Sequence, residues 1–282
     1  MINTIAVIGT GTMGRGIGYA AALAGFQVHL YDINEESLKE AETYIKTQLE
    51  KALLRGLTTE KDADQVLNKL LYTTDLRVAA EEADLVIEAV LEVMDLKTKI
   101  FRELDEITAP HTILATNTST MSPTEIAAQT KRPDRCIAMH FFNPVPKMKL
   151  IEVICGLETS EETIERVMEV GTQMGKECVR VNEFPGFAVS RMNCLIGNEA
   201  MNMVMEGVAT VEDVDKAMKL GLNHPMGPLE LADLVGLDTR LRNMEYLHQT
   251  LGEKYRPCPI LVKYVKAGRL GRKTGQGFYS YS

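Results

Sequence analysis

Short continuous apolar runs alternate with amphipathic stretches through the first two thirds of the chain. Ile5-Ala6-Val7-Ile8 reads as a strand buried on both faces. Gly9 to Gly14 turn the chain, and Ile17 to Ala24 read as a small-residue helix closed by Gly25. Val28 to Tyr31 give a second strand ending at Asp32. A charged helical region runs from about Asn34 to Leu70 and breaks near Gly56-Leu57-Thr58. It is too long for a simple crossover and reads as a helical hairpin projecting from the sheet. Alternation resumes with strands at Asp84 to Val90, Thr112 to Thr116 and Cys136 to Phe141. Helices fall between them at Leu96 to Ile107 and Ser122 to Gln129, the latter capped by Ser122 with Pro123 in its first turn. Leu150 to Ile154 and Cys178 to Val181 extend the sheet around a helix from Glu161 to Met174. Strands alternating with helices predict an α/β, doubly wound, mostly parallel sheet.

Near Glu183-Phe184-Pro185-Gly186 the pattern changes, and no convincing strand follows as far as Gly268. Helical periodicity covers about 187–206, 211–220, 229–236, 238–251 and 259–266. The chain therefore divides into residues 1–184 and an all-α C-terminal domain, 185–282, of a normal domain size. The first helix there carries Met192, Met201, Met203 and Met205, which read as core filling or as a subunit interface.

Composition narrows the class of function. A net charge of -8, from 31 basic and 39 acidic side chains, argues against a non-specific nucleic-acid binder. The five cysteines form no C-x-x-C pair and the histidines no H-E-x-x-H, so no metal site is expected. No apolar run approaches the ~20 residues of a membrane span, and a reducing cytoplasm is the expected location.

Chemistry enters at Gly9-Thr10-Gly11-Thr12-Met13-Gly14, a G-x-G-x-x-G that follows a buried strand and opens a helix. Asp32 ends the next strand 23 residues after Gly9. This context makes a Rossmann-type dinucleotide site of Gly9, Gly11, Thr12, Met13, Gly14 and Asp32. The helix N-terminus offers its N–H groups to phosphates, and Arg15 is either an added phosphate charge or a solvated side chain. Asp32 suits two ribose hydroxyls and repels a 2′-phosphate, which favours NAD over NADP.

An alcohol dehydrogenase also needs a base with a pKa near neutrality, ~6.5 for histidine. His140 ends a strand at the carboxyl edge of the sheet, beside Asn117-Thr118-Ser119. The proline-rich Phe141 to Lys149 suggests a return that brings Glu152 next to His140. Alternatively, Glu152 is a surface charge on an edge strand.

The chain resembles the 3-hydroxyacyl-CoA dehydrogenases along its whole length. The resemblance is carried by Gly9-x-Gly11-x-x-Gly14, Ile87-Glu88-Ala89-Val90-Leu91-Glu92, Thr116-Asn117-Thr118-Ser119, His140-Phe141-Phe142-Asn143-Pro144-Val145-Pro146, Pro185-Gly186-Phe187, His224-Pro225-Met226-Gly227-Pro228 and Lys273-Thr274-Gly275-x-Gly277-Phe278-Tyr279. It implies reversible NAD-dependent oxidation of an (S)-3-hydroxyacyl-CoA, with the bacterial 3-hydroxybutyryl-CoA enzymes most similar. It implies His140 as general base, Glu152 as its partner, Ser119 on the reacting oxygen and Asn143 near nicotinamide and substrate. Glu92, Lys97, Ser119, Asn143 and Lys273 match cofactor-contacting positions. The hairpin resembles a coenzyme A platform, on which Lys51 and Arg55 share a face and can meet phosphates. A solvated basic face is the alternative for that pair. Where the family commonly has asparagine after Pro-Gly-Phe, this chain has Ser190, which contacts substrate with one group fewer. A homodimer through the C-terminal domain is also implied. Two other readings remain: a dehydrogenase of a free hydroxy or sugar acid, and a non-catalytic dinucleotide-binding protein.

Overall fold

Eight strands make one sheet in the order β3-β2-β1-β4-β5-β6-β7-β8 in the computed structural model, which describes residues 1–281. They are β1 (Thr4–Ile8), β2 (Gln27–Tyr31), β3 (Leu70–Thr73), β4 (Leu85–Glu88), β5 (Ile113–Thr116), β6 (Cys136–Phe141), β7 (Leu150–Cys155) and β8 (Glu177–Asn182). Every neighbouring pair is parallel except β6 and β7, which run antiparallel.

Period two explains why the central strands read as unbroken apolar runs. Ile5, Val7, Leu85 and Ile87 enter one buried cluster, and Ala6, Ile8, Val86 and Leu114 enter another on the opposite face. Helices α1 (Thr12–Leu23), α2 (Glu35–Leu54), α3 (Glu60–Leu67) and α7 (Glu161–Gln173) supply the first cluster. The second is closed by α4 (Leu76–Ala80), α5 (Met94–Ile107) and α6 (Pro123–Ala127). Ser122 caps α6 by accepting the Glu125 N–H, worth ~1 kcal/mol, with Pro123 in the first turn.

The helical hairpin is present but ends earlier than the sequence predicts. Its break lies at Gly56, whose φ of 67° ends α2, and Thr59 caps α3. Leu38, Ala41, Ile45 and Leu49 form one buried stripe along α2, while its charged outer face and the tip around Leu54 and Leu57 are exposed. The helical region also stops at Leu67. Residues 70–73 form β3, which pairs with β2 from Val28↔Leu70 to Tyr31↔Thr73. This edge strand and the five-residue α4 carry no periodicity long enough to read.

The second compact unit begins at Pro185. Its helices are α8 (Val189–Met205), α9 (Val211–Gly221), α10 (Pro228–Val235), α11 (Leu237–Leu251) and α12 (Pro259–Lys266). They enclose Cys194, Met201, Leu229, Leu237, Met244, Leu247 and Leu261. The methionines divide by role. Met201 is fully buried, whereas Met192 and Met205 are exposed. Two buried carboxylates fix the C-terminal segment. Asp215 accepts the Leu229 and Glu230 N–H groups and the Tyr279 hydroxyl, and Asp233 accepts the Phe278 and Tyr279 N–H groups and the Tyr281 hydroxyl.

Candidate active site

The carboxyl ends of β1, β4, β5 and β6 lie side by side, so the loops that follow them share one edge of the sheet. At β1, Gly9 takes a φ of 94° and a side chain there would press on the Ala89 carbonyl. A Cβ on Gly14 would sit 1.7 Å from the Gly9 oxygen, so α1 starts this close to the turn only because residue 14 is glycine. Gly11 faces open space, and a Cβ added there would meet nothing within 4 Å. Helix α1 begins at Thr12 with no side-chain cap and no acid in its first turn. The N–H groups of Thr12, Met13 and Gly14 therefore lack helical acceptors and suit an anion.

Asp32, half-buried beyond β2, is held from both sides. Its Oδ2 accepts the Thr10 N–H at 2.9 Å and Thr10 Oγ1 at 3.2 Å, and Oδ1 accepts the Asn34 N–H at 3.0 Å. An open glycine turn, free helix N–H groups and a fixed carboxylate on the next strand fit the pyrophosphate and ribose of NAD. Arg15 is half-buried, not a solvated side chain. Its guanidinium stacks over Tyr44 of α2, 4.9 Å from the ring centre.

His140 and Glu152 occupy opposed positions on β6 and β7. Both are buried, and Nδ1 lies 2.8 Å from Glu152 Oε2. An ionised Glu152 can only accept a hydrogen bond from Nδ1–H, which fixes the tautomer and puts the ring's lone pair on Nε2. Phe142 packs against the imidazole with ring centres 4.4 Å apart. Asn117, at the end of β5, accepts the Phe141 N–H at 2.9 Å and fixes the last residue of β6.

Ser119 follows Asn117, and Glu92 holds it. Glu92 accepts the Ser119 N–H at 2.8 Å, Ser119 Oγ at 3.4 Å and Thr118 Oγ1 at 2.5 Å. Burial pushes the Glu92 carboxyl up, but the Lys97 ammonium and the Thr118 and Ser119 donors outweigh it and hold the carboxyl below its ordinary value. Lys97 is 1% exposed and sits between two acids. Its Nζ is 2.7 Å from Glu88 Oε1 and 3.2 Å from Glu92 Oε2. Glu88 is missed from the sequence alone, although an acid closing an otherwise apolar buried strand is a visible signal. Removing one partner of such a buried pair costs ~3–5 kcal/mol.

Asn143 is exposed three residues beyond His140. Lys176, whose ammonium is destabilised by burial, steadies the turn behind it by donating to the Val145 and Met148 carbonyls at 2.6 and 2.8 Å. Lys51 is exposed on the last turn of α2 and Arg55 is exposed just beyond its end, and neither side chain pairs with another described residue. Ser190 and Lys273 belong to the second unit. Ser190 lies in the first turn of α8, and the Lys273 ammonium is 2.6 Å from Asp238. Among the described residues no cluster can hold a metal ion, and no helix is long and apolar enough to cross a membrane.

A glycine turn at the end of β1 and a strand-end histidine bonded to a carboxylate on β7 fit a Rossmann-type NAD-dependent dehydrogenase. Family models agree: the 3-hydroxyacyl-CoA dehydrogenase NAD-binding domain matches residues 4–184, and that family's C-terminal domain matches residues 186–281. The chain is 54% identical to the probable 3-hydroxybutyryl-CoA dehydrogenase of Bacillus subtilis, over 99% of this chain and 98% of that one. It is 46% identical to the 3-hydroxybutyryl-CoA dehydrogenase of Bradyrhizobium diazoefficiens, over 100% and 96% of the two chains. The crystal structure of (S)-3-hydroxybutyryl-CoA dehydrogenase from Ralstonia eutropha superposes with a TM-score of 0.97 at 43% identity, covering 100% of both chains. The protein belongs to the 3-hydroxyacyl-CoA dehydrogenase family, and NAD is its cofactor.

Proposed function

We propose that this enzyme interconverts short-chain (S)-3-hydroxyacyl-CoA, chiefly 3-hydroxybutyryl-CoA, and the 3-ketoacyl-CoA. The His140–Glu152 pair, with Nδ1 and Oε2 at 2.8 Å, is the observation that carries the reading. NAD, when bound, accepts the hydride from C3 of the substrate. His140 takes the hydroxyl proton at Nε2, while Glu152 holds the ring and stabilises the imidazolium that forms. Ser119 Oγ hydrogen-bonds the reacting oxygen, and Asn143 contacts substrate. Gly9, Gly11, Thr12, Met13 and Gly14 cradle the pyrophosphate, Asp32 receives the ribose, and Glu92, Lys97 and Asn143 complete the cofactor contacts of this unit.

Coenzyme A is the carrier this reading expects, because Lys51 and Arg55 are exposed cations spaced i, i+4 with no acid paired to them among the described residues. The helical unit binds substrate and forms a homodimer. Its exposed Val208, Leu220 and Leu222, 62–77% accessible, support an interface there. Free thiols at all five cysteines are consistent with work in the cytoplasm. The direct test is NADH oxidation. Acetoacetyl-CoA should be reduced rapidly and free acetoacetate should not; the reverse preference would favour a free hydroxy acid as substrate. NAD binding without turnover of any acyl-CoA would indicate a non-catalytic protein.

A further inference from the structure

We infer that Glu88 is a positioning residue for the reaction: it shares the charge of Lys97 so that Glu92, and through it Ser119, stays in place. The inference rests on the role proposed for Ser119 above. Glu88 closes β4 with its side chain fully buried. Its Oε1 accepts the Val90 N–H at 2.8 Å and Lys97 Nζ at 2.7 Å, and its Oε2 accepts Lys97 Nζ at 3.0 Å and Thr116 Oγ1 at 2.7 Å. Thr116 is its cross-strand partner on β5, and Ile8 its partner on β1. The carboxylate is thus rooted beside the turn at Gly9 and beneath the loop that carries Ser119.

Glu92 has no such rooting of its own. It lies between β4 and α5, flanked by Leu91 and Val93, which are 75% and 50% exposed. Its carboxylate is fixed by Lys97 on one oxygen and by Thr118 and Ser119 on the other. Lys97 is therefore the joint between a rooted acid and a loop acid. An apolar pair of equal volume at 88 and 97 would serve the fold at least as well, since both charges must be stripped of water to sit there. What an apolar pair cannot do is hold a carboxylate against the Ser119 amide.

Charge sharing sets the expected outcome. In Glu88→Gln the full ammonium charge falls on Glu92, which draws its carboxylate toward Lys97 and away from Ser119. A displacement of ~1 Å at a reacting group can cost up to ~10²-fold in rate. With acetoacetyl-CoA and NADH, kcat should fall about tenfold or more on that scale. A double-mutant cycle separates positioning from general stability. In a Ser119→Ala background the Glu88→Gln change should have almost no further effect on kcat. Equal loss in both backgrounds would overturn the inference, as would an unchanged kcat in the single variant. If Glu88→Gln does not fold, Thr116→Val removes one hydrogen bond from Glu88, together with the 3.3 Å acceptor of the Thr118 N–H, and keeps every charge. The same cycle then applies, with a smaller loss expected. Amide hydrogen exchange at Ser119 gives a readout independent of turnover. It should quicken in Glu88→Gln while the β6 amides stay protected. Wild-type inactivity would count against the proposed function, whereas unchanged Ser119 exchange would count against the positioning role of Glu88.

Discussion

His140 and Glu152 are direct cross-strand partners on the antiparallel pair β6–β7, so their side chains leave the sheet on the same face and meet. A slip of one residue in that register would turn Glu152 to the opposite face. Twelve residues of sequence separation thus become one 2.8 Å hydrogen bond. Glu152→Gln tests what the carboxylate adds beyond shape. The amide fills the same space but cannot stabilise an imidazolium, so kcat should fall by roughly 10²–10⁴-fold. NAD affinity, followed by calorimetry, should barely change.

The glycines of the dinucleotide turn answer to different constraints and should respond differently. Gly14→Ala drives a methyl group into the Gly9 carbonyl, so the start of α1 must shift and both thermal stability and NAD affinity should drop. Gly11→Ala meets no protein atom. Its melting temperature should stay near wild type while NAD binding weakens, because the methyl occupies the space a pyrophosphate needs. Differential scanning fluorimetry with and without NAD separates the two effects.

Lys51 and Arg55 should act on the carrier and not on the chemistry. Replacing either with alanine should raise KM for acetoacetyl-CoA by about 2–5-fold, as expected for an exposed charge pair worth ~0.5–1 kcal/mol, and leave kcat unchanged. The effect should fade in high salt. A substrate truncated to its pantetheine arm, which lacks the nucleotide phosphates, should show no difference between variant and wild type.

Acid sensitivity can be traced to a group at the other end of the sheet. Asp84 accepts the Asn3 and Thr4 N–H groups at 2.7 and 3.0 Å and so fixes the start of β1. Burial pushes its carboxyl up, but those two bonds and the neighbouring His111 hold it below the ordinary 3.8. A carboxyl lowered on folding contributes stability that is present above 3.8 and disappears as pH falls through its folded value. Asp84→Asn should therefore lower the urea midpoint at pH 7 and at pH 5. The gap to wild type should close only below pH 3.8.

Most of the sheet is legible in the sequence because its central strands are buried on both faces and therefore apolar throughout, as in Ile5-Ala6-Val7-Ile8. The glycine turn that opens α1 is legible because G-x-G-x-x-G and Asp32 sit at fixed distances from those strands. Strand β3 is not, since Leu70 to Thr73 lie half-exposed at an edge where no apolar run is required. The packed face of α2 is hidden by the length and charge of its outer face, although Leu38, Ala41, Ile45 and Leu49 do keep helical spacing. The role of Glu88 is hidden for a different reason. A single acid in a strand pattern says nothing of its partner, and Lys97 is nine residues away, on the first turns of a helix.

The claim on which the mechanism depends is that the imidazole of His140 moves the substrate proton. Pre-steady-state and steady-state turnover of His140→Ala, with NAD binding measured on the same preparation, tests it most directly. Binding close to wild type with kcat reduced by roughly 10²–10⁴-fold is the expected result. A variant that binds NAD normally and turns over acetoacetyl-CoA at a rate near wild type would contradict it.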